Sequence, residues 1–256
     1  MYPTIVNNYV VVWKYDNWNF WNRSCLSRDE IVLFRLEEEH FPGNLNTGES
    51  IFFFVKRLIG IAGDTIWIKN GNVYVNGCLE KKDAYVIRRY NIQFRDYWSY
   101  QKFTQNNEIA SIKLKMHGGI KADIYTSKDG MASIPASALI GKPLLNLNTI
   151  PSEKIFPKMS NWSLDEWGPA IVPKAGDSVY ISIKNISLYY DLIKGENQSI
   201  EIVNNQILID GKESNQYVFK RNYCFVLGDN RYSSMDSRHF GFISYENLSG
   251  NVVHIF

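Results

Sequence analysis

Two-residue turns dominated by asparagine and glycine punctuate this chain and commit much of it to antiparallel strands. Asn70-Gly71 stands between Thr65–Lys69 and Asn72–Val75, two runs rich in β-branched and aromatic residues. Asn204-Asn205 stands in the same way between Ile200–Val203 and Gln206–Ile209. Both central residues of a type I′ turn need positive φ, which Gly adopts freely and Asn tolerates, so each pair closes a hairpin. Residues 9–13, 51–61, 178–183, 217–227 and 251–256 share the β-branched and aromatic bias and are expected as further strands. Helices are expected only over residues 29–39 and, for a single turn, 163–167. A mainly β fold follows, and an aromatic content of 14% agrees with it.

Charge and cysteine usage remove several functions. Lys and Arg total 28 against 26 Asp and Glu, a net charge of +2, so no field gathers nucleic acid and no nucleic-acid partner is expected. Three cysteines, Cys25, Cys78 and Cys224, form no CxxC pair, and the four histidines stand far apart without a metal-ligand spacing. Neither a metal nor an organic cofactor is expected. No apolar run reaches the roughly 18 residues of a membrane span, and no secretory signal opens the chain.

Residues 78–167 are more polar and less patterned than their flanks and read as an inserted, less regular subdomain. The β-rich domain then comprises 1–77 and 168–256. Arg88, Arg89, Tyr90, Arg95 and Trp98 in the insertion suit base stacking in composition, but packed strands with solvated basic faces account for them at this net charge.

Two segments carry chemistry. In residues 52–64, side chains alternate along a strand, so Lys56 shares one face with Phe54 and Leu58, and Arg57 the other with Val55 and Ile59. At least one cation therefore meets an apolar surface. Moving a lysine from about 10.4 to about 8 takes roughly 3.3 kcal/mol of differential interaction, and a lysine so tuned is a general base. An edge-strand lysine that packs its stem and sends its head to water is the competing reading. In residues 223–242 an apolar strand runs into a loop holding Asp229, Asn230, Arg231, Ser234, Asp236 and Arg238. It lacks the glycine and terminal acid of an EF-hand loop and suits an ion-pair network presenting a serine hydroxyl; a solvated surface loop is the alternative.

Lys56-Arg57-x-x-Gly60-x-x-Gly63-Asp64 resembles the KRxxGxxGD box of type I signal peptidases. Gly228-Asp229-Asn230-Arg231-x-x-Ser234-x-Asp236-Ser237-Arg238 resembles their GDNRxxSxDSR box, in the right order. Gly168-Pro169 followed by Val172-Pro173-Lys174 fits the long-insertion members. The resemblance is dense over residues 1–11, 47–77 and 168–256 and thin over 78–167. It implies a serine endopeptidase with a Ser/Lys dyad that removes signal peptides from exported preproteins. Lys56 would be the base and Ser234 would orient it. Arg57, Asp229, Asn230, Arg231, Asp236 and Arg238 would support the site, and Met1, Tyr2 and Ile5 would line the substrate cleft. The implied location is the outer, periplasmic or extracellular, face of a bacterial cytoplasmic membrane, with the membrane surface and signal peptides as partners.

One departure bears on activity. The family's nucleophile lies in a motif of the form Ser-Met-x-Pro-Thr, and these residues open with Met1-Tyr2-Pro3-Thr4, so the serine falls immediately before Met1. The family's N-terminal anchor is likewise not among them. Either the start has been assigned at the motif's methionine, or the chain is a shortened, inactive relative that binds signal peptides without cutting them. The intact Lys56, Ser234 and loop favour the first. Ser50 and Ser234 show no strained nucleophile turn. A self-cleaving Ser/Lys protein of the phage-repressor kind would carry a DNA-binding module, and none is legible. The aromatic run from Trp13 to Trp21 suits either a headgroup-level belt or ordinary core packing.

Overall fold

Alternation of buried and exposed side chains, rather than helical periodicity, organises the computed structural model, which describes residues 10–14, 26–37, 51–80, 86–104, 109–115, 119–158 and 160–255. Met1, Tyr2, Ile5, Cys25, Ser50 and the aromatic residues 15–21 lie outside them. A six-stranded antiparallel sheet holds, in spatial order, Val10–Lys14, Leu248–Ile255, Ile31–Glu37, Ile51–Gly60, Tyr223–Leu227 and Ile243–Ser244. A four-stranded sheet packs Trp167–Ile171, Thr65–Lys69, Asn72–Val75 and Cys78–Leu79 side by side. Smaller sheets pair Ser178–Tyr180 with Gln216–Val218 and join Ile200–Val203, Gln206–Ile209 and Lys212–Glu213.

Both sequence-legible hairpins form as expected. Asn70 and Gly71 have φ of 50° and 70°, and Asn204 and Asn205 of 49° and 64°, the positive pairs that a type I′ turn requires. The helix expected over residues 29–39 does not form. Ile31–Glu37 is a strand, paired over seven residues with Ile51–Gly60. Val32, Phe34 and Leu36 are buried and Arg35 and Glu37 exposed, so period-two burial against the neighbouring strand overrides the helix propensity of Leu, Arg and Glu. Nor is 163–167 a helical turn. The Ser163 and Glu166 backbones bond across a bend, and Trp167 opens a strand beside Thr65–Lys69.

The polar excursion carries regular structure of its own. Leu144–Leu145, Arg88–Phe94, Ile120–Thr126 and Ile109–Lys115 form a four-stranded sheet in that order. Ile92, Phe94, Ala122 and Ile124 on this sheet pack with Phe103 of helix Tyr97–Thr104 and with Met131, Ile134 and Leu139. The excursion departs after Cys78–Leu79 and returns at Trp167–Ile171, the two edges of one sheet. Its ends are therefore held by the sheet that follows the Lys56 strand.

Two further cores flank that strand. Leu58 joins Val32, Phe34, Cys224, Val226 and Phe240 on one side, and Ile59 joins Ile66, Trp167, Phe225 and Leu227 on the other. Cys78, on the surface, and Cys224, in the core, are both free. Among the described residues no helix is long and apolar enough to cross a membrane.

Candidate active site

Strands Ile51–Gly60 and Tyr223–Leu227 run antiparallel, with Arg57 opposite Leu227 and Leu58 opposite Val226. Continuing that register carries the chain past Leu227 into Gly228, beside Lys56. A side-chain carbon built on Gly228 would stand 3.7 Å from Lys56 Cδ and 2.5 Å from Ser234 Cβ, overlapping the serine. Only a glycine lets Ser234 come this close to the backbone next to Lys56. The structure thus brings together two residues 178 positions apart, both picked out from sequence.

The faces of the strand divide as alternation requires. Arg57 is buried and forks onto Asp229, Nε to Oδ1 at 2.8 Å and Nη2 to Oδ2 at 2.7 Å, while its Nη1 donates to the Asp29 carbonyl at 2.7 Å. A bidentate pair of this kind fixes both partners. Lys56 takes the other face, half-buried, with Nζ 5.8 Å from the centre of the Phe54 ring. Burial holds the Lys56 ammonium below a lysine's ordinary pKa. Asp236 and Asp229 oppose that shift, and Arg238 adds to it. The Oγ of Ser234 is buried and neither accepts nor donates a hydrogen bond among the described residues. A buried hydroxyl without a partner costs free energy, which sets Ser234 apart from the paired polar groups around it.

A buried network shapes the loop around Ser234. Asp236 accepts Arg238 Nε at 2.9 Å and Nη2 at 2.8 Å, together with the Gly228 amide at 3.1 Å and the Arg238 amide at 3.2 Å. Burial of Asp236 works to raise its pKa, but Arg238 and His239 outweigh it and hold the carboxyl far below the usual range. Arg238 also donates to the carbonyls of Arg231 at 2.7 Å and Leu164 at 3.3 Å. Arg231 donates to the Gly228 carbonyl at 3.2 Å and to both oxygens of Glu80 at 2.8 Å. Asn230 caps the turn by accepting the Ser233 amide at its Oδ1, 3.2 Å away. The solvated-loop alternative is thereby set aside, since Asp229, Arg231, Asp236 and Arg238 are all buried.

The chain itself matches the family model "Signal peptidase, peptidase S26" over residues 1–146 and 171–256. It belongs to the signal peptidase family. The match runs through residue 146, so it takes in most of the excursion where motif resemblance alone was thin. A crystal structure of a signal peptidase I from Enterococcus faecalis V583 matches 89% of this chain and 97% of that one, at 16% identity and a TM-score of 0.32. No curated protein is a significant match. Membership makes this a signal-peptidase-like protein in a family of serine peptidases, on a mainly β framework.

Two residues of the site carried no usable sequence signal. Glu80 lies 151 positions from its partner Arg231, beyond any local spacing rule. Tyr232, within the loop, reads as filler in the motif, yet its hydroxyl accepts Arg89 Nη1 at 2.5 Å. Of the residues expected at the site, Lys56, Arg57, Asp229, Asn230, Arg231, Ser234, Asp236 and Arg238 gather around the end of strand Tyr223–Leu227 and the loop that follows it. Met1, Tyr2 and Ile5 lie outside the described residues.

Proposed function

We propose that the protein is a signal peptidase of the Ser/Lys kind, removing signal peptides from exported preproteins at the outer face of a bacterial cytoplasmic membrane. The observation that carries this reading is the position of Lys56, half-buried and depressed in pKa, against Gly228 and the partnerless hydroxyl of Ser234. A serine protease without a histidine needs an amine that is neutral near working pH, and burial is the physical means of making one.

The steps balance with two side chains. The nucleophile's Oγ attacks the scissile carbonyl carbon while its proton passes to Lys56 Nζ. The tetrahedral intermediate collapses, the C–N bond breaks, and the Lys56 ammonium gives its proton to the departing amine. Water then attacks the acyl ester, again losing a proton to Lys56, and the serine leaves with that proton restored. Ser234, whose Oγ has no hydrogen-bond partner among the described residues, is the hydroxyl available to orient Lys56, and the Arg57–Asp229 and Arg238–Asp236 pairs hold strand and loop in register. By the family motif the nucleophile would be a serine immediately ahead of Met1, which would make Met1, Tyr2 and Ile5 its neighbours in sequence and the candidates to meet substrate.

Cleavage of a signal-peptide-bearing preprotein by two detergent-solubilised forms tests this reading. One is residues 1–256; the other carries in addition the residues its gene encodes upstream of Met1. Cleavage by the longer form alone is expected. Cleavage by neither, with signal peptide still bound, marks a binding relative without activity. Cleavage by the short form puts the nucleophile within residues 1–256 and overturns its assignment.

A further inference from the structure

The inserted sheet does not merely hang from the edges of its neighbour; it grips the loop that carries Ser234. Ile87, at the entry to the insertion, donates its amide to the Asp229 carbonyl at 2.8 Å and bridges in parallel to Asn230. Glu80 accepts Arg231. Within the loop, Arg231 and Asp236 are fixed by buried charge, whereas Ser233 and Met235, on either side of Ser234, are exposed. The side-chain tether in this short span is Tyr232. Its ring meets Tyr125 of the inserted sheet edge-on at 5.1 Å, and the Arg89 guanidinium lies 5.0 Å from its centre while donating to its hydroxyl. Arg89 is itself held by Asp123, Nη2 to Oδ2 at 2.6 Å, and Asn91 donates to the other Asp123 oxygen at 3.2 Å.

We infer that Tyr232, held by Arg89 and Asp123, is a positioning residue through which the inserted sheet sets the place of Ser234 against Lys56. Ser234 overlaps the volume a Gly228 side chain would take, so a shift of a few tenths of an ångström at residue 232 alters its contact with Gly228 and Lys56. The charges facing Lys56 are Asp229 and Asp236 from the loop and Arg238 from the helix after it, held by Arg57 and by one another. Releasing Tyr232 therefore leaves the local charges in place and changes how well the loop excludes water. Wetter surroundings favour the ammonium form and raise the pKa of Lys56. The inference rests on the Ser/Lys reading.

Tyr232→Phe and Arg89→Met, singly and together, in the cleavage-competent form test it. Tyr232→Phe keeps the ring contact with Tyr125 and removes the acceptor. The expected result for each single variant is a fall in kcat of about tenfold, the worth of one charge-assisted hydrogen bond, with KM unchanged. The acid limb of the pH–kcat profile should move to higher pH. The double variant should be no slower than the slower single one, because both break one link. Arg89→Lys, which keeps the charge and one donor, should recover part of the rate. A kcat within twofold of wild type and an unmoved acid limb in both single variants, or effects that multiply in the double, would overturn the inference. Lys56→Ala in the same assay separates the failures. Normal cleavage by it sinks the dyad reading, while a dead Lys56→Ala beside a Tyr232→Phe of wild-type profile sinks only the positioning role.

Discussion

Replacing Lys56 by alanine in the cleavage-competent form is expected to lower kcat by about a thousandfold or more, with KM little changed. General acid–base catalysis is worth about 10² to 10⁴ in rate, and here one amine serves both as base for attack and as acid for departure. Its loss removes transition-state stabilisation without removing substrate contacts, which is the signature of a fall in kcat and kcat/KM together. Stability should not suffer. Lys56 is a half-buried ammonium disfavoured by its surroundings, so below a lysine's ordinary pKa the unfolded chain holds its proton more readily than the folded one. Retention of wild-type turnover by the variant, measured on a preprotein substrate, would remove Lys56 from the chemistry.

Arg238→Ala is expected to cost about 3 to 5 kcal/mol of folding stability at neutral pH, the range for stripping one partner from a buried ion pair. Asp236 and Arg238 are 0% and 1% exposed, and the guanidinium also satisfies the carbonyls of Arg231 and Leu164. Removing it leaves a buried carboxylate without its guanidinium, held by the Gly228 amide, the helix N-terminal amides and the neighbouring His239 ring. Such a loss is a large share of an ordinary domain's margin of about 5 to 15 kcal/mol. The pH dependence follows from the sign of the Asp236 shift. Its folded-state pKa is depressed, so its stabilisation is fully present above the unfolded value near 4 and is lost as pH falls toward the folded one. The deficit of Arg238→Ala should therefore be greatest above about pH 4 and shrink below it, where Asp236 of the variant takes up a proton. Urea denaturation at pH 7 and pH 3 measures both. An equal deficit at the two pH values would mean that lost packing, and not charge, explains it.

What the chain discloses without coordinates is local. Positive-φ Asn and Gly pairs fixed two hairpins because the turn chemistry is contained in two residues. Period-two alternation separated Lys56 from Arg57 for the same reason, and the loop's charges sit close enough in sequence to suggest their own pairing, as Asp236 and Arg238 do. Strand Ile31–Glu37 was not legible, since its residue types suit a helix and only the seven-residue pairing with Ile51–Gly60 decides between them. The sheet within the excursion was hidden too. Arg89, Asn91 and Gln93 do alternate with Tyr90, Ile92 and Phe94, but that short pattern sits in a polar, basic stretch, and burial of Ile92 and Phe94 depends on Phe103 and Leu139, which come later in the chain. At the site, Lys56 and Ser234 were readable by motif, but their proximity depends on Gly228 and the register of two strands. The partners Glu80 and Arg89 reach the loop across 151 and 143 positions, where no spacing rule operates.

The titration of Lys56 in the folded 256-residue chain bears on the Ser/Lys dyad without needing either substrate or nucleophile. Competitive acetylation across a pH series, read by mass spectrometry of the Lys56 peptide, gives its midpoint alongside those of the chain's surface lysines. The expected midpoint lies below theirs and moves up to join them on unfolding in urea. A Lys56 that titrates with the surface lysines in the folded chain would have no neutral amine to offer near neutral pH, and the Ser/Lys reading would fall.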